Sequence, residues 1–166
     1  MIDITRLSRQ YTVRELGEAD ADAILRLCRA NAQYYEYCRA EPTMEQVLSD
    51  LHVAPPGVGP SDKHYVGFYD GDMLVAVMDL IDGYPEPDMA YIGFFMMNRA
   101  LQGAGVGSAV IGEAAACLKS AGKRAIRLAI AKDNPQAAHF WNKNGFLVIR
   151  EVDMGGWTAL VAEKTL

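Results

Sequence analysis

Cysteine is scarce in this sequence, cationic charge is short, and no apolar run is long. The three cysteines, Cys28, Cys38 and Cys117, form no Cys-x-x-Cys pair. An odd number without that spacing predicts reduced thiols in a cytoplasmic setting and no structural zinc site, so no metal is expected. No apolar run approaches the length that spans a bilayer. The opening Met1-Ile2-Asp3-Ile4-Thr5-Arg6 lacks a signal-peptide core, and no membrane partner is expected. Lysine and arginine total 16 against 21 aspartates and glutamates, a net charge of -5. A dedicated nucleic-acid binder needs the opposite excess to neutralise a phosphate backbone. The balance suits neutral or cationic partners better. Repeats, low-complexity segments and linkers are also missing, so residues 1–166 read as a single domain.

What is present is an ordinary globular composition, 51% apolar and 22% charged over 166 residues, enough for a real core. Tyr11–Leu16 reads as a first strand. Asp20 can cap a helix, and Ile24, Leu27, Cys28, Asn31, Tyr35 and Cys38 follow one helical face. Later in that helix, Tyr34-Tyr35-Glu36-Tyr37 sets three tyrosines in four residues, which cannot all face a core. They read either as amphipathic packing or as one wall of a substrate pocket. Thr43 with Gln46 matches a capping box for a second helix bearing Met44, Val47, Leu48 and Leu51. Pro55-Pro56-Gly57 breaks it and opens a loop that runs through Gly59-Pro60-Ser61-Asp62, placed where a flap would be.

Tyr65–Tyr69 and Met73–Ile81 read as strands joined by the hairpin turn Asp70-Gly71-Asp72. Asp79 interrupts the second strand; a carboxylate there needs a partner or a role in a pocket. Tyr91–Met97 is a further strand, and Val106, Val110, Ala114, Cys117, Leu118 and Ala121 trace a helix that Gly122 stops. Lys123–Ala131 is a strand, Asn134-Pro135 caps and starts a helix carrying Ala137, Ala138 and Trp141, and Gly145 closes it. Phe146–Arg150 and Trp157–Ala162 are the last strands, turned by Met154-Gly155-Gly156.

Between the strand ending at Met97 and the helix starting near Val106, glycines stand at 103, 105 and 107. A helix start has unpaired N–H groups and a partial positive charge, and glycine lets an anion approach the backbone. A P-loop needs a Gly-Lys-Ser/Thr ending, whereas Ser108-Ala109 stands there. A dinucleotide fingerprint fails as well: its last glycine falls on Ser108 or Val110. A tight turn without a ligand is the plain alternative. The pattern that stands is Gln-x-x-Gly-x-Gly from Gln102 to Gly107, which resembles the acetyl-CoA pyrophosphate loop of the GNAT superfamily of acyltransferases.

A second segment strengthens the resemblance. Asn134-Pro135-Gln136-Ala137-Ala138-His139-Phe140-Trp141-Asn142-Lys143-Asn144-Gly145-Phe146 is similar to the family's Asn-x-x-Ala-x-x-Phe-Tyr-x-x-x-Gly-Phe segment, one strand downstream as the family requires. The resemblance covers the chain from about Tyr65 onward; the first helices match only in kind. It implies an α/β (α+β) GNAT fold: a mixed, mostly antiparallel sheet of about seven strands with about four helices, splayed between strands 4 and 5. It implies acetyl-CoA (CoA) as cofactor, with pantetheine on the backbone of Phe95 and Met97. Gln102, Gly103, Ala104, Gly105, Val106, Gly107 and Ser108 would form the pyrophosphate loop. Asn134 would bond pantetheine or cap its helix, Trp141 would pack on the cofactor, and Lys143 would reach a phosphate or stay solvated. Tyr34, Tyr35, Glu36 and Tyr37 would line the acceptor pocket.

The activity implied is transfer of an acetyl group to a primary amine of a small molecule or peptide, by direct attack in a ternary complex. The family often has a tyrosine as general acid where Trp141 stands, and an indole N–H is no useful acid. Tyr91 falls where some members carry a glutamate base, and a phenol with a reference pKa near ~10 is a poor base. The catalytic candidates are therefore Tyr91, Asp79 and Trp141, with Glu36 or His139 as further bases acting through water. Two alternatives stay open: a non-catalytic acyl-CoA-binding module or sensor, and an enzyme using a longer acyl group or an oxygen acceptor. A homodimer through the final strands is a further expectation of the resemblance.

Overall fold

The computed structural model describes residues 2–38 and 40–166; Met1 and Arg39 lie outside the described residues. Chain order is β1 (Thr12–Glu15), α1 (Ala21–Arg29), α2 (Ala32–Cys38), α3 (Met44–Asp50), β2 (Lys63–Asp70), β3 (Met73–Asp82), β4 (Met89–Met97), α4 (Val106–Ser120), β5 (Ala125–Ala131), α5 (Pro135–Lys143), β6 (Leu147–Asp153) and β7 (Thr158–Thr165). The strands make one sheet ordered β1-β2-β3-β4-β5-β7-β6. All neighbours are antiparallel except β4 and β5. This is the mixed, mostly antiparallel architecture expected.

β3 and β4 are apolar on both faces because helices cover both. One cluster joins the sheet to α4, with Phe68, Met78, Ile111, Leu118, Ile126 and Phe146 at its centre. The other joins it to α1 and α3 through Ile24, Leu27, Val47, Tyr65, Val77 and Met96. α4 ends as its sequence asks: Lys123 N–H donates to Leu118 O and Gly122 N–H to Lys119 O, each at 3.0 Å, a Schellman cap on Gly122.

Several expectations need correction. The single helix through Ile24–Cys38 is two helices, broken at Ala30-Asn31, which brings the α-helices among the described residues to five where about four were expected. Asn31 turns inward and bonds distant backbone, which competes with continuing the helix. Only half of the capping box forms. Thr43 Oγ1 accepts from Gln46 N–H at 3.1 Å, but the Gln46 amide goes to Asp50 at 2.6 Å. Lys123 and Arg124 precede β5: Lys123 pairs with Asp82, and Arg124 with Asp88 and Glu86. Phe146 is a buried core residue just before β6, and exposed Trp157 lies outside β7.

The sheet parts at one place. β4 pairs with β5 from Met89↔Ala125 to Ile92↔Leu128 and no further. At the same level β3 skips a β4 residue, Asp79 facing Phe94 and Leu80 facing Ile92, which makes Gly93 a bulge. The bulge reverses the alternation of faces. Ile92, Phe95 and Met97 pack toward α4, while Phe94 and Met96 pack toward α1.

Asp79 Oδ1 accepts from Lys63 Nζ at 2.7 Å, with side-chain exposures of 13% and 5%. Burial holds the Asp79 carboxyl above its usual value, and Lys63 pulls it back. Lys63→Met leaves that carboxylate buried without its cation, so it should lower the unfolding free energy by about 3–5 kcal/mol at neutral pH, read by urea titration. Only the upward push then remains. The folded form holds the Asp79 proton more tightly than the unfolded chain, so stability is lost as pH rises through the folded pKa. The deficit against wild type should shrink as pH falls; a deficit constant across pH would overturn this reading of the pair.

Candidate functional site

The site is built on the unpaired half of β4. Asn98 N–H donates to Val75 O at 2.8 Å. Bonded pairs alternate along an antiparallel ladder, so Met96 and Phe94 also turn their backbone groups toward β3. Phe95 and Met97 turn theirs the other way, into the gap left by β5. Met97 O is already taken, accepting from Asn31 Nδ2 at 3.0 Å. Phe95, with both backbone groups, and the Met97 N–H therefore face the gap.

At the end of β4 the chain turns into α4. Gly103 and Gly105 have φ of +81° and +80°, a left-handed backbone that costs glycine little and other residues more. Gly105 is the N-cap and offers no side chain to the first turn. The N–H groups of Val106, Gly107 and Ser108 consequently lack the usual capping acceptor. Gly107 lets this turn sit close to its neighbours: a Cβ there would lie 3.2 Å from Phe140 and 3.3 Å from Met97. Ser108 Oγ is buried with no hydrogen-bond partner among the described residues. Ala104 is exposed, and Val106 packs on the core.

α5 forms the opposite wall. Asn134 is buried, and its Oδ1 accepts from Ala137 N–H at 3.0 Å, so it caps the helix. Phe140 stacks on Phe95 at 6.0 Å. Trp141 meets Phe95, Phe140 and Phe146 edge-on at 5.9, 5.1 and 5.0 Å. Between the walls lies a cleft of about 450 Å³, lined by Phe95, Met97, Gly103, Gly105, Gly107 and Ser108 on one side and Asn134, Trp141 and Lys143 on the other. Arg99, His139 and Lys143 bring cationic or titratable groups to it. A smaller cavity of about 70 Å³ fills the gap itself and shares Tyr34, Phe95, Asn134, Ala137 and Trp141 with the cleft.

The Gln102 side chain turns inward. Its Nε2 donates to Asn31 Oδ1 at 2.6 Å, and its Oε1 accepts from Arg99 at 2.9 Å. Sequence reasoning missed Asn31, Arg99, Gln136 and Phe140 as cleft residues. Arg99, three residues before Gln102 and beside the glycine turn, was the available signal; Asn31 gave none, since it fits a helical face.

On the far side of the gap, the four residues of the tyrosine run separate. Tyr34 lines both cavities and packs edge-on against Phe94 at 6.0 Å. Burial pushes its phenol well above the usual range, so it stays an O–H donor. Tyr35 hydrogen-bonds toward Cys28 and is raised for the same reason. Glu36 is exposed, Tyr37 is half-buried, and neither lines a cavity. Asp79 Oδ2 lies 2.6 Å from where a Cβ on Gly93 would be, and Gly93 lines the gap. Tyr91 packs against Tyr84 at 5.5 Å and lines neither cavity.

Among the described residues, no cluster of three or more His, Cys, Asp or Glu could hold a metal, and no helix is long and apolar enough to cross a membrane. Solved structures share the fold. An acetyltransferase from Thermus thermophilus is 26% identical, with a TM-score of 0.77 over 95% of this chain and 97% of that one. A PaiA N-acetyltransferase from Thermoplasma acidophilum, in complex with coenzyme A, is 18% identical, with a TM-score of 0.67 over 94% and 99%. A ribosomal-protein alanine N-acetyltransferase from Escherichia coli is 15% identical, with a TM-score of 0.67 over 93% of each chain. No curated protein sequence matches. The profile of the acetyltransferase (GNAT) family matches residues 24–146, and with that match across most of its length the chain belongs to the acetyltransferase (GNAT) family.

Proposed function

We propose that the protein is an acetyl-CoA-dependent N-acetyltransferase whose acceptor is a primary amine of a small molecule or peptide, acetylated by direct attack in a ternary complex. The observation that carries this is a cleft at an uncapped helix start with a second cavity in the open sheet gap beside it, the two sharing the walls Tyr34, Phe95, Asn134, Ala137 and Trp141. The N–H groups of the Gly103–Ser108 turn are the donors for a pyrophosphate, and the Ser108 hydroxyl adds another. Phe95, with both backbone groups, and the Met97 N–H are the partners for pantetheine amides. Arg99 and Lys143 offer charge to outer phosphates. When bound, acetyl-CoA supplies the thioester. The chain's own contribution is to hold acyl group and amine together and to manage a proton.

Asp79 is the base this arrangement favours. It lines neither cavity itself, but its Oδ1 is held by Lys63, its Oδ2 lies against Gly93, which lines the gap, and burial raises its affinity for a proton. Trp141 is a wall packed among three phenylalanines and donates no proton. Tyr34 faces it across the gap and is the O–H donor placed to meet a developing negative charge. A coenzyme A complex and a protein-amine acetyltransferase among the structural neighbours agree with this reading.

Two subsidiary proposals go with it. The free thiols Cys28, Cys38 and Cys117 support a reducing, cytoplasmic location. The edge strand β6 exposes Leu147, Val148 and Ile149, a surface that supports a homodimer. The non-catalytic acyl-CoA sensor keeps one observation in its favour, the wholly apolar packing of Trp141 where an acid would stand.

Calorimetric titration with CoA and acetyl-CoA tests the cofactor. A Cβ at Gly105 meets nothing within 4 Å, but its φ of +80° strains any side chain, so Gly105→Trp should distort as well as obstruct the turn, with retention of the fold checked by circular dichroism. Wild type should bind, and the variant should lose at least about a hundredfold in affinity; equal binding would sink the assignment. Turnover of acetyl-CoA with an amine panel tests the chemistry. Asp79→Asn should cut the rate by about 10²–10⁴-fold and abolish the rising limb of the pH profile, which rises because a base must be deprotonated to act and lies above the ordinary carboxylate range because burial raises the Asp79 carboxyl. Tyr34→Phe should lower kcat with CoA affinity kept. Tight binding of acetyl-CoA without turnover of any amine would favour the sensor.

A further inference from the structure

We infer that Asn31 is a positioning residue that makes the ordering of α2, on the acceptor side, depend on what occupies the glycine turn. The inference rests on the cofactor reading above. Asn31 stands at the break between α1 and α2 and is 6% exposed. Both donors of its amide and the carbonyl oxygen are engaged. Nδ2 donates to Leu27 O at 2.9 Å and to Met97 O at 3.0 Å, while Oδ1 accepts from Gln102 Nε2 at 2.6 Å. Gln102 Oε1 in turn accepts from Arg99 at 2.9 Å. A continuous polar chain therefore runs from the last turn of α1, through Asn31, to the two residues that lead into the glycine turn.

α2 needs such an anchor. It has seven residues, none fully buried, packs on the core only through Tyr34 and Tyr35, and is too short to hold itself. Its first residue follows Asn31 directly, and Tyr34 carries its contact with both cavities. An anion on the Gly103–Ser108 backbone orders that turn and with it Arg99 and Gln102. Through Asn31 the same ordering reaches the start of α2 and the tyrosine that faces the gap. The acceptor wall is then held more firmly when the cleft is filled. A merely structural Asn31 would stabilise α2 equally with the cleft empty or full.

The test is hydrogen exchange of the full chain at saturating CoA and without it, so that only the ligand-induced difference is read. In wild type, CoA should slow exchange in residues 102–108 and, by about tenfold, in residues 32–38. Gln102→Glu, which turns a carboxylate oxygen toward Asn31 Oδ1 without changing shape, should keep the first protection and lose the second. Asn31→Ala should do the same where it folds. Protection of residues 32–38 in Gln102→Glu equal to wild type, or its absence in wild type while residues 102–108 are protected, would overturn the coupling and leave the cofactor reading intact. No protection of either segment in wild type would mean that CoA does not bind, and both readings would fall together.

Discussion

Backbone N–H and C=O groups inside a sheet are costly to leave unpaired, and β4 gives up its β5 partner after Ile92. The rest of the site follows from how that cost is met. The bulge at Gly93 turns the strand so that Phe95 and Met97 present their backbone to the gap. Gly93 can bulge there because it has no side chain: Asp79 Oδ2 already occupies the place of a Cβ. The carboxylate tolerates its burial because Lys63 is beside it. Asn31 takes the Met97 carbonyl, which the parted sheet would leave open. Gly93, Asp79, Lys63 and Asn31 thus belong to one arrangement, whose product is a strand with main-chain groups available to a ligand.

The electrostatics divide across the sheet. The chain carries a net -5, yet the cleft by α4 gathers Arg99, Lys143, His139 and an uncapped helix start. On the other face lie Asp79 and Asp50, both raised by burial, with Lys63 opposing each shift. A polyanion on one side and an amine on the other would each meet groups of complementary sign. The overall charge, read alone, describes only the second of these.

Features governed by local rules were legible in the sequence. The glycine turn, the stop at Gly122 and the Asn134-Pro135 start each depend on conformational or capping needs within a few residues. The succession of strands along the chain was legible because hydrophobic period and turn residues agreed. What the sequence concealed was pairing over distance. Asn31 fits an apolar helical face in spacing, yet its partners Met97 and Gln102 lie 66 and 71 residues away. Gln102 was read as part of the loop, and its side chain serves the loop from behind. The point where β4 leaves β5 is a matter of register, which hydrophobic alternation does not encode. Asp79 was visible as an oddity in an apolar strand, while Lys63, across the hairpin, was not visible as its partner.

Trp141 bears on whether such a site transfers or only binds. Three phenylalanines fix its ring, so its position is set by packing and it closes the cleft without adding a proton donor. A module that merely binds an acyl-CoA needs the helix start and the cleft wall. It has no use for a gap in the sheet, which costs β4 its hydrogen bonds beyond Ile92. Here the opening is kept, with Tyr34, Cys38 and Gly93 around it and Asp79 over the bulge. The cavity in the gap is lined from both sides, by Tyr34 and Cys38 of α2 and by Ala137 and Trp141 of α5, and a gap of that kind has a purpose when a second substrate approaches from the other side. The open gap therefore weighs toward a transferase, more heavily than the missing tyrosine weighs against one.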